Sequence, residues 1–370
     1  MLRVGIDGRA FTSPAAGVRR YVNGLTRALV ALGEPLSVTA LGARDPSTLP
    51  AGVHHVAASP HPPTNLGWTV VGLPLTARRA VVDVVHSPAY TAPLYSPVPV
   101  VLTIHDVSYQ RHPRWYPYRR DWARRAFYRC SANAAAHILT ISNFSAAEIA
   151  ATYRIPSERM TVTPLGVDGT FTQSGSRESG DLPPGVHQPY LLHVGDLHER
   201  RNLAMLVEAV LEARRGRDRH CSALSLVLAG VDRGVGDALR GIAERAGVAG
   251  AVVQLGSVSE EQLRSLYAGA VALTYPSLYE GFGLPLVEAM KSGVPVIASH
   301  AASIPEVLGD AGILLDPTDR RAWTKAIIDV ASSDQARVRL RAAGLRRSAE
   351  FTWARTAALT LDVYRRVLTL

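Results

Sequence analysis

Short apolar runs alternate with longer amphipathic stretches along the whole chain. Apolar runs of a few residues bounded by turn residues predict buried strands, and the amphipathic stretches predict helices. This alternation is typical of α/β units built around parallel sheets. The first set of predicted strands is 2–6, 37–41, 81–86, 98–104, 136–141 and 160–163, with helices at about 18–32, 122–135 and 145–153.

A second set of the same kind follows after a break in the pattern. Its predicted strands are 190–194, 224–229, 252–255, 271–275, 294–298 and 312–315, with helices at 203–215, 235–246, 260–268, 284–292 and 320–332. Two such sets predict two doubly wound, Rossmann-like domains. A cleft is expected between the carboxyl ends of their strands, where open α/β sheets bind ligands.

The break itself predicts the domain boundaries. Residues 173–188 are poor in apolar residues and rich in Gly, Ser and Pro, which is typical of an exposed linker. We therefore predict a first domain at 1–172 and a second domain at 189–352. The last segment, 353–370, reads as one further helical run.

Two carboxylates bracket a glycine-rich turn in the second set. Glu280 and Glu288 lie on either side of Gly281-Phe282-Gly283 and of a helix start near Leu284, with Pro285 suited to the first turn. A helix N-terminus attracts anions, and the glycines let a diphosphate approach the backbone. Carboxylates accept hydrogen bonds from paired hydroxyls, so one Glu is expected to hold a sugar and the other a ribose. The alternative is a surface helix with ordinary acids.

Two adjacent arginines follow the predicted strand 190–194. Arg200 and Arg201 stand at the start of the next predicted helix, where positive charge is unfavourable unless an anion is bound. We expect them to neutralise a diphosphate leaving group. The alternative is a pair of exposed arginines.

A histidine follows the apolar run 98–104. His105 is therefore expected at the carboxyl end of a strand, although position alone does not make a histidine catalytic. Asp106 is expected either to orient the imidazole ring or to bind backbone N–H groups. Five other histidines have no comparable sequence context and are expected to be structural or exposed: His54, His55, His61, His86 and His112.

Composition places the chain among ordinary globular proteins, with 370 residues, 47% hydrophobic and 19% charged. Cys130 and Cys221 are far apart, which argues against a disulfide framework and fits a reducing cytosol. We see no apolar signal-peptide core and no apolar run near the roughly 20 residues of a membrane helix. A cytoplasmic protein is expected.

The net charge of +9 predicts a surface that attracts anions. Arginines interleave with aromatic residues in the most basic stretch, 111–129. The helical spacing of Trp122, Phe127 and Cys130 predicts a buried aromatic face with solvated arginines. Peripheral contact with an anionic membrane, or docking of an acceptor, is the alternative. No nucleic-acid-binding module accompanies the charge, so nucleic acid is not an expected partner.

The motifs of this chain together resemble those of a known family. Together with Gly5-Ile-Asp-Gly-Arg9, Ile104-His-Asp106 and Gly293-Val-Pro-Val-Ile297, the Glu280–Glu288 segment resembles the retaining glycosyltransferases of the GT-B fold, in glycosyltransferase family 4 and especially its mannosyltransferase-like branch. The resemblance covers nearly the whole chain. It implies an acceptor-binding first domain, a nucleotide-sugar-binding second domain, and a final helix that crosses back to the first.

The same resemblance implies roles for individual residues. His105 and Glu280 would be the catalytic residues, with His105 beside the donor sugar. Gly17 would let a first-domain loop approach the donor phosphate or the acceptor, and Gly230 would end a strand near the nucleotide. The family usually has Lys where this chain has Arg201, which keeps the positive charge but adds a planar donor fork.

The sequence shows no Asp-x-Asp pair, no metal-ligand spacing and no phosphate-binding loop, which predicts a metal-independent reaction without a cofactor beyond the donor. We expect a retaining hexosyltransferase that moves mannose from GDP-mannose to a hydroxyl of a glycan, lipid-linked or small-molecule acceptor. The alternatives are a UDP-hexose donor, a nucleotide-sugar epimerase or hydrolase on the same fold, and a basic protein that docks on membranes or nucleic acid.

Overall fold

The computed structural model describes residues 1–59, 62, 64–116, 120–172, 182–216 and 218–369, which fall into two compact units. Unit 1 consists of Met1–Gly166 and Thr352–Leu370, and unit 2 consists of Val167–Phe351. The first domain was predicted to end at 172, a few residues beyond this division. Most of the predicted linker 173–188, namely 173–181, lies outside the described residues, as does His61.

Unit 1 is built on a parallel sheet. Its strands are β1 (Leu2–Asp7), β2 (Leu36–Leu41), β3 (His54–Val56), β4 (Val84–Ser87), β5 (Val100–Thr103), β6 (His137–Thr140) and β7 (Met160–Val162). Among the described residues they are ordered β3-β2-β1-β4-β5-β6-β7. Val4 in β1 is paired with Val38 on one side and Val84 on the other, and Val4 and Val84 are fully buried. Such apolar runs form strands because both faces of the sheet are covered.

Helices cover this sheet. They are α1 (Ala16–Ala31), α2 (Asn65–Gly67), α3 (Leu73–Ala80), α4 (Ser108–Arg111), α5 (Trp122–Ala134) and α6 (Asn143–Tyr153). A π-helical turn at Trp68–Gly72 joins α2 to α3 and buries Trp68 in the core. The stretch 65–80 was not predicted to be helical, because its Gly and Pro residues interrupt the apolar period.

The predicted buried face of α5 is wrong. Trp122 is 73% exposed and Cys130 is also exposed, whereas Tyr128, Ser131 and Ala132 face inward. The ring of Tyr128 meets the ring of Tyr109 edge-on at 4.6 Å between centroids, and Ser131 donates a hydrogen bond to the carbonyl oxygen of Ala92 at 2.9 Å. These contacts turn the helix so that Tyr128, Ser131 and Ala132, rather than Trp122, face the core of unit 1.

Unit 2 repeats the architecture. Its strands are β8 (Tyr190–Val194), β9 (Ser225–Ala229), β10 (Val252–Gly256), β11 (Ala272–Tyr275), β12 (Val296–Ser299) and β13 (Ile313–Leu315). In the described part of the chain they form a parallel sheet ordered β10-β9-β8-β11-β12-β13. Its helices are α7 (Leu203–Arg215), α8 (Gly236–Arg245), α9 (Glu260–Gly269), α10 (Leu284–Lys291), α11 (Ile304–Leu308), α12 (Arg320–Ser332) and α13 (Asp334–Ser348).

The last helix, α14 (Trp353–Arg366), returns to unit 1 and packs on α1. A methyl group added to Gly24 of α1 would lie 2.2 Å from the indole ring of Trp353, so the two helices meet where a glycine leaves room. The hydroxyl of Tyr364 in α14 lies 2.6 Å from Nδ1 of the buried His86 in β4. The predicted return of the final helix is therefore confirmed. Within the described ranges, no helix is long and apolar enough to cross a membrane.

Candidate functional site

The loops after β8, β9 and β11 bring most of the predicted residues of unit 2 together. These three strands are neighbours in a parallel sheet, so their carboxyl ends share one edge. The loop after β8 carries Arg200 and Arg201 in a 3-10 turn, and the loop after β11 leads to Glu280. The two loops touch through their backbones, because the N–H of Leu278 donates to the carbonyl oxygen of Arg200 at 2.8 Å.

Helix α10 begins at Leu284, as predicted. Gly283 precedes it with φ at 98°, a left-handed conformation that favours glycine. A Cβ at this position would also lie 2.9 Å from a methyl carbon of Leu286. Gly283 has no side chain that could cap the helix, Pro285 has no N–H, and the N–H of Leu286 donates to the carbonyl oxygen of Gly283 at 2.9 Å. This helix start therefore offers an anion the N–H of Leu284 and the positive end of the helix dipole.

Glu280 is held rigidly at this edge. The residue is 6% exposed, and its carbonyl oxygen accepts a hydrogen bond from Ser303 Oγ at 2.9 Å. Its Oε1 accepts from Nη1 of Arg201, and its Oε2 lies 4.0 Å from Nη1 of Arg200. One carboxylate therefore contacts both of the arginines that the sequence singles out.

Arg201 is surrounded by hydrogen-bond acceptors. Its Nη1 also lies 2.5 Å from the hydroxyl oxygen of Tyr275 and 3.2 Å from Ser277 Oγ, so its two N–H groups are shared among three acceptors. Its Nε is buried without a hydrogen-bond partner among the described residues, and the guanidinium lies 5.2 Å from the centre of the Tyr275 ring. Only 8% of Arg201 is exposed. Burial lowers the pKa of the guanidinium, but an arginine remains charged at neutral pH even so.

A buried histidine lies behind this arginine. His193 in β8 stacks on the ring of Tyr275, with centroids 5.6 Å apart. Its Nδ1 lies 3.0 Å from the carbonyl oxygen of Thr274, which can only accept, so Nδ1 carries the proton. Burial, together with the charge of Arg201, lowers the pKa of His193 to about 3. The imidazole is therefore neutral beside the guanidinium.

The second carboxylate lies deeper in unit 2. Glu288, in the second turn of α10, is 2% exposed and accepts a hydrogen bond from the hydroxyl of Tyr267 at 2.9 Å. Tyr267 is itself buried and meets Phe171 edge-on. The predicted contact of Glu288 with a ribose stays a prediction, since its carboxylate already has this partner.

Phe282 and Gly230 have packing roles of their own. The Phe282 side chain is buried and meets the Phe351 ring edge-on, with centroids 5.6 Å apart, so it offers a ligand only its backbone. A Cβ on Gly230 would lie 2.0 Å from the carbonyl oxygen of Gly195, because the loops after β9 and β8 cross there. This packing does not test whether Phe282 and Gly230 contact a donor, so those contacts stay predictions.

In unit 1, His105 lies directly beyond β5, as the sequence predicts, and is 7% exposed. Its Nε2 lies 3.0 Å from the carbonyl oxygen of Pro88, so Nε2 carries the proton and Nδ1 has the lone pair. Burial lowers the pKa of the imidazole. The ring of Tyr21 meets it edge-on at 4.9 Å between centroids. His105 is therefore a neutral hydrogen-bond acceptor at Nδ1.

The hydrogen bonds of Asp106 distinguish the two roles that the sequence left open for it. Asp106 accepts hydrogen bonds from the backbone N–H of Ser108 at 2.8 Å and from its hydroxyl at 2.6 Å. It therefore caps the following turn. Gly17, in the first turn of α1, is exposed, and a Cβ there would meet no atom within 4 Å. The protein's own packing therefore does not explain a glycine at this position.

Sequence reasoning missed Tyr275, Ser277 and His193. For Tyr275 and Ser277 the signal was their position. Tyr275 ends the predicted strand 271–275 and Ser277 follows it closely, at the sheet edge that carries Arg201. His193 gave no signal, since it lies inside an apolar run whose side chains are all buried.

Comparisons with known proteins agree with this architecture. Residues 15–171 match the family described as "Glycosyltransferase Family 4", and residues 188–333 match "Glycosyl transferases group 1". The chain is 34% identical over 269 residues to the O-antigen chain mannosyltransferase B of Escherichia coli, covering 72% of this chain and 70% of the relative. It is 32% identical over 246 residues to the MMP alpha-(1->4)-mannosyltransferase of Mycolicibacterium hassiacum, of which it spans 54%.

Solved structures show the same fold. Sucrose-phosphate synthase from Thermosynechococcus elongatus matches with a TM-score of 0.76 at 20% identity, covering 100% of both chains. WaaG, a glycosyltransferase involved in lipopolysaccharide biosynthesis, matches with a TM-score of 0.71 at 16% identity, covering 98% of this chain and 99% of that one.

Two parallel α/β units with a final helix returning to the first define the GT-B fold. The family matches and the O-antigen relative then narrow the class: the chain belongs to glycosyltransferase family 4, among the group 1 glycosyltransferases. The predicted fold class and enzyme class are confirmed.

Proposed function

We propose that this glycosyltransferase moves a mannosyl group from GDP-mannose to a hydroxyl of a glycan, lipid-linked or small-molecule acceptor, with retention of configuration and without a metal ion. The observation that carries the proposal is the buried Glu280 carboxylate, which lies within 4.0 Å of Arg200 and just before α10. The choice of mannose is supported by the relatives named as mannosyltransferases, from Escherichia coli and from Salmonella typhimurium.

Unit 2 would hold the donor. Glu280 would accept hydrogen bonds from hydroxyls of the sugar, since an ionised carboxylate is a strong acceptor. The diphosphate would face Arg200 and the backbone N–H groups of 281–284, where the α10 dipole favours negative charge. These groups supply positive potential as the diphosphate leaves, so a divalent ion is not needed for that task. In this scheme Glu288 would hold the ribose.

His105 would act on the donor sugar rather than as a base. Its Nδ1 can accept a hydrogen bond from a sugar hydroxyl, because Nε2 already donates to Pro88. In a front-face reaction the bond between the anomeric carbon and the phosphate oxygen breaks, and a bond to the acceptor oxygen forms on the same face. The acceptor proton moves to a phosphate oxygen of the leaving group, so no protein base is required.

The donor is tested by thermal stabilisation of the purified protein with GDP, UDP, ADP and dTDP, each with a divalent ion and with a chelator. A ligand that binds only the folded state raises the melting temperature. We expect a selective rise with GDP that survives the chelator. A selective rise with UDP would instead support a UDP-hexose donor, and loss of the rise with the chelator would refute metal independence.

The site is tested by donor consumption in Glu280→Gln and His105→Ala proteins, with the exposed Glu244→Gln as a matched control. Both site variants should lose turnover while still unfolding cooperatively, at melting temperatures below that of the parent because each change removes a buried partner, and the control should remain active. Undiminished turnover in Glu280→Gln would refute the assignment. Donor consumption that is independent of any acceptor would favour the epimerase or hydrolase alternative.

A further inference from the structure

A buried chain of hydrogen bonds links the sheet of unit 1 to helices α1 and α14. It joins four fully buried side chains: Tyr21, His86, Thr103 and Tyr364. The hydroxyl of Tyr364 lies 2.6 Å from Nδ1 of His86, and Nε2 of His86 lies 2.7 Å from Oγ1 of Thr103. The same Oγ1 lies 2.8 Å from the hydroxyl of Tyr21. The chain therefore runs from α14 through β4 and β5 to α1.

This chain ends beside the proposed catalytic histidine. Thr103 is the last residue of β5 and stands two residues before His105. The ring of Tyr21 meets the imidazole of His105 edge-on, with centroids 4.9 Å apart and an angle of 88° between the planes. Tyr90 also faces the imidazole, but its ring is tilted, 5.8 Å away and only half-buried. Tyr21 is therefore the nearer and the more deeply buried of the two rings.

The hydrogen bonds of His105 fix only part of the residue. Nε2 of the imidazole donates to the carbonyl oxygen of Pro88 at 3.0 Å, and the backbone carbonyl of His105 accepts from Ser145 Oγ at 2.9 Å. An imidazole held at one nitrogen can still tilt about that bond. A perpendicular ring at 4.9 Å limits the tilt. Tyr21 therefore helps to set the direction of the lone pair on Nδ1.

Stability does not explain why this chain is polar. Replacing both partners of a buried hydrogen bond by apolar groups of the same shape is nearly neutral, so phenylalanine and valine would suffice at positions 21 and 103 if packing were all that mattered. Burial lowers the pKa of His86 to about 3, so the chain is uncharged at neutral pH. A hydrogen bond adds direction, because it weakens steeply away from its preferred angle. The polar chain therefore fixes the orientation of the Tyr21 ring more closely than packing alone would.

We propose that Tyr21 is a positioning residue for His105: its ring sets the direction of the imidazole, and its hydroxyl, anchored on Thr103, holds the ring. Groups that act on a substrate need neighbours that lock their rotamers by packing and by hydrogen bonds. Tyr21 acts through His105 rather than on the donor. This inference rests on the proposed function, because it assigns His105 to the donor sugar.

The test compares three changes at buried tyrosines of unit 1. Tyr21→Leu removes the ring that meets His105, and Tyr21→Phe keeps the ring but removes the bond to Thr103. Tyr153→Phe is the matched control, because it removes a buried hydroxyl that contacts Tyr109, outside the chain. Calorimetry gives the Kd of GDP, and donor consumption gives kcat and KM for GDP-mannose. If UDP is the nucleotide that stabilises the protein, UDP and its hexose donor take their place.

All three variants should bind GDP within about twofold of the parent, since unit 2 is proposed to hold the nucleotide. In Tyr21→Leu, kcat should fall by about 10²-fold, the effect typical of a reacting group displaced by about 1 Å. Tyr21→Phe should recover about tenfold of that loss, because its ring still meets His105. Tyr153→Phe should keep kcat within about twofold of the parent, although its melting temperature should also fall.

A second measurement separates positioning from a general loosening of unit 1. With enzyme in excess over donor, the double variant Tyr21→Leu/His105→Ala should react at the rate of His105→Ala, since both changes remove the same contribution. Its melting temperature should still lie below that of His105→Ala, because the buried ring is lost in either background.

The inference is overturned if Tyr21→Leu retains the parental kcat, if Tyr153→Phe loses as much kcat as Tyr21→Phe, or if Tyr21→Leu slows the His105→Ala protein further. Should Tyr21→Leu fail to fold, Tyr21→Phe decides, and a parental kcat there would refute the role of the hydroxyl. Failure of the proposed function would be distinct, because His105→Ala would then consume donor at the parental rate whatever the Tyr21 variants do.

Discussion

Replacing Gly17 by alanine should change the stability and the activity of this protein in opposite directions. The residue lies in the first turn of α1, is exposed, and offers open space to a methyl group, with no atom within 4 Å of its Cβ position. Replacing a helical glycine by alanine stabilises a helix by roughly 0.5–1 kcal/mol. For a unit of this size, each kcal/mol of added stability raises the melting temperature by about 2–4 °C.

The effect on activity should have the opposite sign. If a donor phosphate or an acceptor approaches the backbone at Gly17, the added methyl group occupies the space that the ligand needs. Gly17→Ala should therefore lose about 10²-fold in turnover, as expected when a reacting group is displaced by about 1 Å. Urea unfolding measures the stability, and donor consumption measures the activity.

Gly241→Ala is the matched control, because Gly241 also lies in a helix, α8, and a Cβ there meets only the flexible end of Arg245. It should gain similar stability and keep full turnover. A fully active Gly17→Ala protein would show that no ligand approaches this glycine. A fall in its stability would instead refute the open space on which the reasoning depends.

Two further predictions concern stability alone. Gly24→Ala places a methyl group 2.2 Å from the Trp353 ring, so it should cost about 1–3 kcal/mol; an unchanged midpoint in urea would contradict the packing of α14 on α1. Burial lowers the pKa of both His86 and His193 to about 3. The unfolded chain takes up these protons near pH 6.5, so stability should fall between pH 6.5 and 3, by about 2 kcal/mol per histidine at pH 5. His193→Gln should flatten the pH dependence of urea unfolding in unit 2, and an unchanged slope would refute this origin.

Several elements of unit 2 followed from local signals in the sequence. Helices Leu203–Arg215 and Arg320–Ser332 and strand Tyr190–Val194 have the predicted bounds. Each has a clear apolar period or an uninterrupted apolar run, and the ends are marked by caps or glycines. Asp319, for example, caps its helix by accepting from the backbone N–H of Ala322 at 3.0 Å. Such signals act within a few residues, so a single sequence carries them.

Elements stabilised by distant contacts were not predictable in this way. Helix α13 (Asp334–Ser348) is so rich in arginine that its sequence has little amphipathic period, and it forms because it packs on α10, with Gly344 against Met290. The orientation of α5 was wrong for the same reason. The spacing of its large residues favoured one face, whereas contacts of Tyr128 with tyrosines elsewhere in unit 1 fixed another.

Part of the candidate site could likewise be predicted from local sequence, and part could not. Glycine, proline and the helix start place Glu280 and α10 from local sequence, so these were predictable. The protein contacts of Arg201 were not, because they depend on the side chains of Tyr275 and Ser277, more than 70 residues away. A loop motif shared by a family therefore fixes where an arginine begins but not what its guanidinium binds. Where a carboxylate and two hydroxyls from residues 275–280 lie beside the guanidinium, its position is fixed by side chains that the loop's own sequence does not contain.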